Sequence, residues 1–118
     1  MRKIEDHKVN PANDLIEVEA LDEHPSGVPH HYSLKISNGP ITQLNFQNGP
    51  IAEVGVNGIT QEALLAVVLD RLRSFQKGPY ACRENALTIT KIEEGMLWLH
   101  SRTLARMRKG IEGTHTVG

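Results

Sequence analysis

Residues 60–110, TQEALLAVVLDRLRSFQKGPYACRENALTITKIEEGMLWLHSRTLARMRKG, decide the fold class of this chain. Leu64, Val68, Leu72 and Phe75 recur at helical spacing, with Leu65 and Leu69 beside them. Thr60 stands where a hydroxyl can accept a free backbone N–H of a first helical turn, and Gly78-Pro79 predicts the end of that helix. A second helix is predicted from about Ala81 to Lys109, stopped by Gly110. Its apolar row is Ile89, Ile92, Met96 and Leu99, extended at either end by Asn85 and Thr103. A join this short obliges the two helices to fold back on each other as an antiparallel hairpin.

Upstream of Thr60 the period changes from helical to alternating. Residues 15–21 alternate apolar with acidic side chains, the pattern of a half-buried strand. His31 to Ser37 alternates again, with Tyr32, Leu34 and Ile36 on one face, and Ile41 to Gln47 returns with Leu44 and Phe46 on one face. Ser37-Asn38-Gly39-Pro40 between them reads as a hairpin turn, because Asn and Gly accept positive φ at low cost. Glu23 to Pro29, with its prolines and glycine, reads as a loop, and Ile51 to Val54 as a further short strand. The expected class is α+β: an N-terminal antiparallel sheet part over residues 1–59, then a C-terminal two-helix hairpin over 60–118 with a short tail.

A chain of 118 residues with 4% aromatic content has little material for a core of its own, so burial against another copy is expected. Net charge is −1, which argues against a general nucleic-acid binder. The charge is nevertheless divided. Residues 1–62 carry four Lys/Arg against nine Asp/Glu, and residues 63–118 carry nine against five. A local positive field on a near-neutral protein suits a small anionic ligand better than a long polyanion. The single Cys82 suits a reducing cytosol, the N-terminus has no apolar core of a secretory signal, and no stretch approaches a membrane span.

No catalytic or metal constellation is legible. His30 and His31 are neighbours on a predicted strand and point to opposite faces. His7, His24 and His115 fall in turn-like segments, and His100 has no ligand partner at helical spacing. Cys82 beside Arg83 is a weak nucleophile candidate and reads better as a small hinge residue. Glu93 and Glu94 diverge by about 100° on a helix and form no carboxylate pair. The glycines of Gly49-Pro50 and Gly55-Val56-Asn57-Gly58 lack the Lys-Ser/Thr of a phosphate loop.

The second helix is more informative. Arg102 and Arg106 are four residues apart, so both guanidinium groups leave one side of the helix and together can fork onto phosphate oxygens. Asn85 lies on the apolar row, where an unbonded amide is costly, and Asn is the side chain that pairs with an adenine edge. Capping of the hairpin turn by Asn85, and of the helix end by the arginines, accounts for the same residues without a ligand. Gly95 in mid-helix suggests a close helix approach, and Trp98, opposite Ile89 and Met96, requires cover from the sheet or another chain.

Phe46-Gln47-Asn48-Gly49-Pro50, Gly55-Val56-Asn57-Gly58, Arg71-Leu72-x-x-Phe75-Gln76-x-Gly78, Cys82-Arg83-Glu84-Asn85-Ala86, Trp98-Leu99-x-x-Arg102-Thr103-x-x-Arg106 and Gly110-Ile111-Glu112-Gly113-Thr114-His115 together resemble the first Thoeris anti-defence family of bacteriophages. The hairpin is similar to that of the phage anti-CBASS sponges. The resemblance covers roughly residues 40 to 117 and leaves 1–39 without a family motif. It departs at Gly95, where alanine is more usual, and at Ile111, where valine is common. It implies a non-enzymatic sponge in the host cytoplasm that sequesters glycocyclic ADP-ribose, the signal of Thoeris TIR proteins, and assembles as dimers that build hexamers. It implies that Phe75 stacks on adenine, Asn85 hydrogen-bonds nearby, and Arg102 and Arg106 grip the diphosphate. It implies no cofactor and no metal. Some members also hold cyclic di- or trinucleotides, so a CBASS sponge is the alternative within the mechanism. A phage regulator binding DNA or a protein partner through the basic helix face is the alternative outside it, and the lack of catalytic residues sets a nucleotide hydrolase last.

Asn85 and Arg102 are 17 residues apart, which on one helix is about 25 Å. Two second helices packed antiparallel about a two-fold axis bring Asn85 of one chain to the arginines of the other, giving two identical shared sites.

Overall fold

The computed structural model describes residues 1–22 and 27–110. The order of elements is β1 (Arg2–Ile4), α1 (Pro11–Asp14), β2 (Ile16–Ala20), β3 (His31–Ile36), β4 (Ile41–Asn45), α2 (Ile51–Val54), α3 (Gln61–Gln76) and α4 (Arg83–Arg108). The class is α+β, with an antiparallel sheet followed by helices. Two compact units are formed. One comprises Met1–Asn48 with Asn57–Ile59, and the other Gly49–Val56 with the chain from Thr60 onward.

In the first unit four strands follow one another in the order β1-β2-β3-β4, all antiparallel. The register stacks Ile4, Val18, Leu34 and Thr42 across one face, and Ala20, Tyr32 and Leu44 beside them. The opposite face carries Lys3 against Glu19 and Glu17 against Lys35. Strand alternation thus divides the sheet into an apolar and a charged side. Ala20 is 2% exposed at the centre of the apolar side, and Phe46 continues it beyond β4, edge-on to Tyr32 at 5.6 Å.

The β3–β4 turn forms as its residues predict, with the positive φ taken by Asn38 (59°). The predicted loop over Glu23 to Pro29 lies in part outside the described residues, as do His24, Ile111, Glu112 and His115. At its described ends Asp22 accepts the amides of His30 and His31. The expected strand at Ile51 to Val54 is instead the single helical turn α2. Gly49 and Gly55, at φ +91° and +74°, turn the chain sharply on either side of it. The base of the loop is closed by Asn57. Its Oδ1 accepts the Asn48 amide at 2.9 Å, and its Nδ2 donates to the Asn48 carbonyl at 2.7 Å. The place beside β4 is taken by Ile59, which bridges Phe46 in parallel. A side chain on Gly58 would put Cβ 2.4 Å from the Phe46 carbonyl carbon, so only glycine passes here.

Thr60 caps α3, its Oγ1 accepting the Ala63 amide at 3.1 Å. The half-buried side of α3 runs through Leu64, Leu65, Leu69, Leu72, Phe75 and Gln76, with Leu69 only 4% exposed, while Val68 of the expected row turns outward. On α4 the half-buried row is the expected one: Asn85, Ile89, Ile92, Met96, Leu99 and Thr103. Arg73 of α3 donates to Glu93 of α4 at 2.8 Å across the hairpin. Gly110, at φ +69°, ends α4. No close approach is made at Gly95 within the chain, where an added Cβ would meet nothing within 4 Å.

Candidate functional site

All four candidate binding residues lie in the hairpin. Phe75 and Gln76 close α3, and the join from Lys77 to Cys82 turns the chain into α4. Cys82 is the N-cap: its Sγ accepts the Asn85 amide at 3.4 Å. The backbone of Cys82 is in turn held by the Gln76 side chain, whose Oε1 accepts the Cys82 N–H at 3.0 Å and whose Nε2 donates to the Cys82 carbonyl at 3.1 Å. Capping and turn-bonding, the duties that could have occupied Asn85, are therefore performed by Cys82 and Gln76. The Asn85 side-chain amide is half-buried and makes no hydrogen bond among the described residues. A half-buried amide left open is poised to bond an incoming polar edge.

Phe75, near the same end, is not an isolated ring. The Arg71 guanidinium carbon lies 5.0 Å from its centroid, the helical i,i+4 spacing bringing cation to ring. Tyr80 meets it edge-on, with centroids 6.3 Å apart and planes at 89°. The sequence reading missed both neighbours. The Arg71–Phe75 spacing was the available signal for one, whereas Tyr80 reaches Phe75 only through the path of the turn.

At the other end of α4 the two arginines differ. Arg102 is exposed and has no ion-pair partner among the described residues, whereas Arg106 is 5% exposed and engaged within the chain. Four residues of helix rotate a side chain by about 40°, enough to carry Arg106 onto the margin of the inward row and leave Arg102 in solvent. Of the two guanidinium groups expected to fork, one is thus open and one anchored. Asn85 and Arg102 sit about 25 Å apart along the same helix.

The outer side of α4 is apolar as well. Leu87, Leu97, Trp98 and Leu104 are 45%, 69%, 72% and 50% exposed. Trp98 points about 160° away from Met96 on the helical wheel. Among the described residues no three His, Cys, Asp or Glu side chains gather where a metal ion could be held, and no helix is long and apolar enough to cross a membrane.

A family model described as Acb2/Tad1, hairpin domain, matches residues 42–104. The chain is also similar to the protein named Thoeris anti-defense 1 of Bacillus phage SBSphiJ7, with 40% identity over 107 residues, 91% of this chain and 75% of that relative. The chain belongs to the Thoeris anti-defence 1 family. The matched region of the hairpin model spans all of α3 and α4 up to Leu104, so it contains Phe75, Asn85 and Arg102 and stops just short of Arg106. Kinship in the Thoeris anti-defence 1 family thus extends over the two helices that carry the open amide and the open guanidinium.

Proposed function

We propose that this protein is a phage sponge that captures glycocyclic ADP-ribose without cleaving it and so blocks Thoeris immunity in the host cytoplasm. The observation that carries the reading is the open Asn85 amide at the same end of the hairpin as Phe75, on a helix whose other end bears Arg102 and Arg106, in a member of this family. Adenine recognition falls to Phe75 and Asn85, and diphosphate binding to Arg102 and, on release from its contact within the chain, to Arg106. A ligand of this size does not span about 25 Å, so the two halves come from different chains. Two copies of α4, packed antiparallel about a two-fold axis, join them into a pair of equivalent sites, and dimers build a hexamer. The exposed apolar outer side of α4, turned away from Asn85, supports association with further copies.

The test has two parts. Mixing protein with the signal should deplete it from solution, and heating should release it unchanged; recovery of a hydrolysed product sinks the non-enzymatic reading. Co-expressed, differently tagged Asn85→Ala and Arg102→Ala/Arg106→Ala chains should then form mixed dimers with one pocket intact. Each homodimer should bind poorly, since loss of a charge-assisted contact costs about 1.5–3 kcal/mol, or roughly ten- to a hundredfold in affinity. The mixed species should recover near wild-type affinity at half the stoichiometry.

The hairpin shared with the anti-CBASS sponges favours a second reading, in which cyclic di- or trinucleotides are held as well. Calorimetry against glycocyclic ADP-ribose, a cyclic trinucleotide and duplex DNA in one buffer separates these ligands from a DNA-binding regulator.

A further inference from the structure

We propose that Tyr80 is a further ligand-contacting residue, the second aromatic wall of the base site, and that it makes the site fit a purine. The inference rests on the adenine-binding reading of Phe75. Its own support is the geometry of the hairpin turn. Tyr80 keeps 73% of its surface exposed while its ring stands perpendicular to that of Phe75. A tyrosine so placed contributes little apolar burial, and yet its position is firmly set. Pro79 fixes the backbone before it, the Ala81 amide closes the turn onto the Gly78 carbonyl at 3.3 Å, and Gln76 clamps Cys82 two residues on.

Two perpendicular rings make a corner. Arg71 covers one face of Phe75 and steadies that ring. A purine is wider than a phenyl ring, so a purine stacked on Phe75 overhangs it, and the Tyr80 ring, 6.3 Å away centre to centre, is the aromatic surface within reach of that overhang. A pyrimidine stacked in the same way ends short of it. The Asn85 amide, in the first turn of α4, is left to bond the base edge. Tyr80 thereby adds ring contact and size discrimination without a new hydrogen bond.

The experiment is a double-mutant cycle read by calorimetry with glycocyclic ADP-ribose. Tyr80→Ala should weaken binding by about five- to a hundredfold, the range for loss of one base-stacking aromatic, with the helical circular dichroism and melting temperature unchanged. Tyr80→Phe should bind as wild type. The Tyr80→Ala effect should shrink in a Phe75→Ala background, because both rings serve one base, and persist in full in an Arg102→Ala background. Unchanged affinity in Tyr80→Ala overturns the inference and leaves the proposed function standing. Equal losses in Tyr80→Phe and Tyr80→Ala, or full additivity with Phe75→Ala, overturn it too, the first by implicating the hydroxyl and the second by making the effect indirect. Failure of the wild-type protein to bind is the separate failure of the adenine reading, and Tyr80's role falls with it.

Discussion

The Gln76 side-chain amide binds the Cys82 backbone at both its N–H and its carbonyl, at 3.0 and 3.1 Å, and so ties the last residue of α3 to the cap of α4. Gln76→Ala should destabilise the hairpin by about 1–2 kcal/mol through loss of these bonds. Gln76→Glu keeps the acceptor, loses the donor and sets a carboxylate against the Cys82 carbonyl, so it should not restore stability. Urea unfolding followed by helical circular dichroism measures both.

Cys82 caps α4 with a sulfur, a weak acceptor at 3.4 Å from the Asn85 amide. A serine hydroxyl is the stronger cap, so Cys82→Ser should raise stability and Cys82→Ala lower it, the two differing by about 1 kcal/mol. Thermal melts of the variants provide the check, and amide exchange at Asn85 localises the effect.

Gly58→Ala should be the most damaging single-methyl change in the sheet unit. Its Cβ would lie 2.4 Å from the Phe46 carbonyl carbon and 2.6 Å from the Gln47 nitrogen, both backbone atoms that no rotamer change can move. The strand-like contact of Phe46 with Ile59 must open, at a cost of about 2–4 kcal/mol or more. Faster hydrogen exchange at the Gln47 and Ile59 amides, which bond Ile59 O and Asn45 O, is the expected signature.

Asp22 gives the sheet unit an acid sensitivity. Desolvation acts to raise its pKa, but the His31 and His30 amides outweigh that, with the two histidine rings assisting, and the carboxyl is held below its ordinary value. With the folded-state pKa lowered, the unfolded chain binds the proton first as pH falls. The stabilisation is therefore complete above the ordinary aspartate value of about 3.9 and is lost as pH drops through the lower folded-state value. Asp22→Asn should narrow the gap in urea midpoint between neutral and acidic solution.

What could be read from the residues follows the reach of the forces involved. Thr60, Asn38 and Gly110 act on their own backbone, and each does what its side chain, or lack of one, predicts. The inward row of α4 follows from a period sustained over many turns, which is why it was legible from Asn85 to Thr103. β1 and α1, of three and four residues, are too short to display a period. α2 was misread because Ile51 and Val54 are β-branched and favour strands, whereas glycine geometry and the Asn57 closure settled the segment. The meeting of Tyr80 with Phe75 depends on the path of the turn, which local pattern does not encode, whereas the Arg71–Phe75 spacing and the helical offset of Arg106 are local signals.

Ala20 and Leu69 are the only apolar side chains among the described residues to escape water almost entirely. In the assembly proposed above, much of the burial each subunit lacks is supplied by its neighbours, so dilution itself becomes a denaturant. A tenfold change in concentration is worth about 1.4 kcal/mol at each association step. If that assembly forms, a subunit at low copy number would lack both the burial and the shared pocket that its neighbours supply. Binding capacity would then rise not in proportion to translation but abruptly, once synthesis passed the association threshold. Promoter strength and timing would matter to such a protein as much as the affinity of any finished pocket.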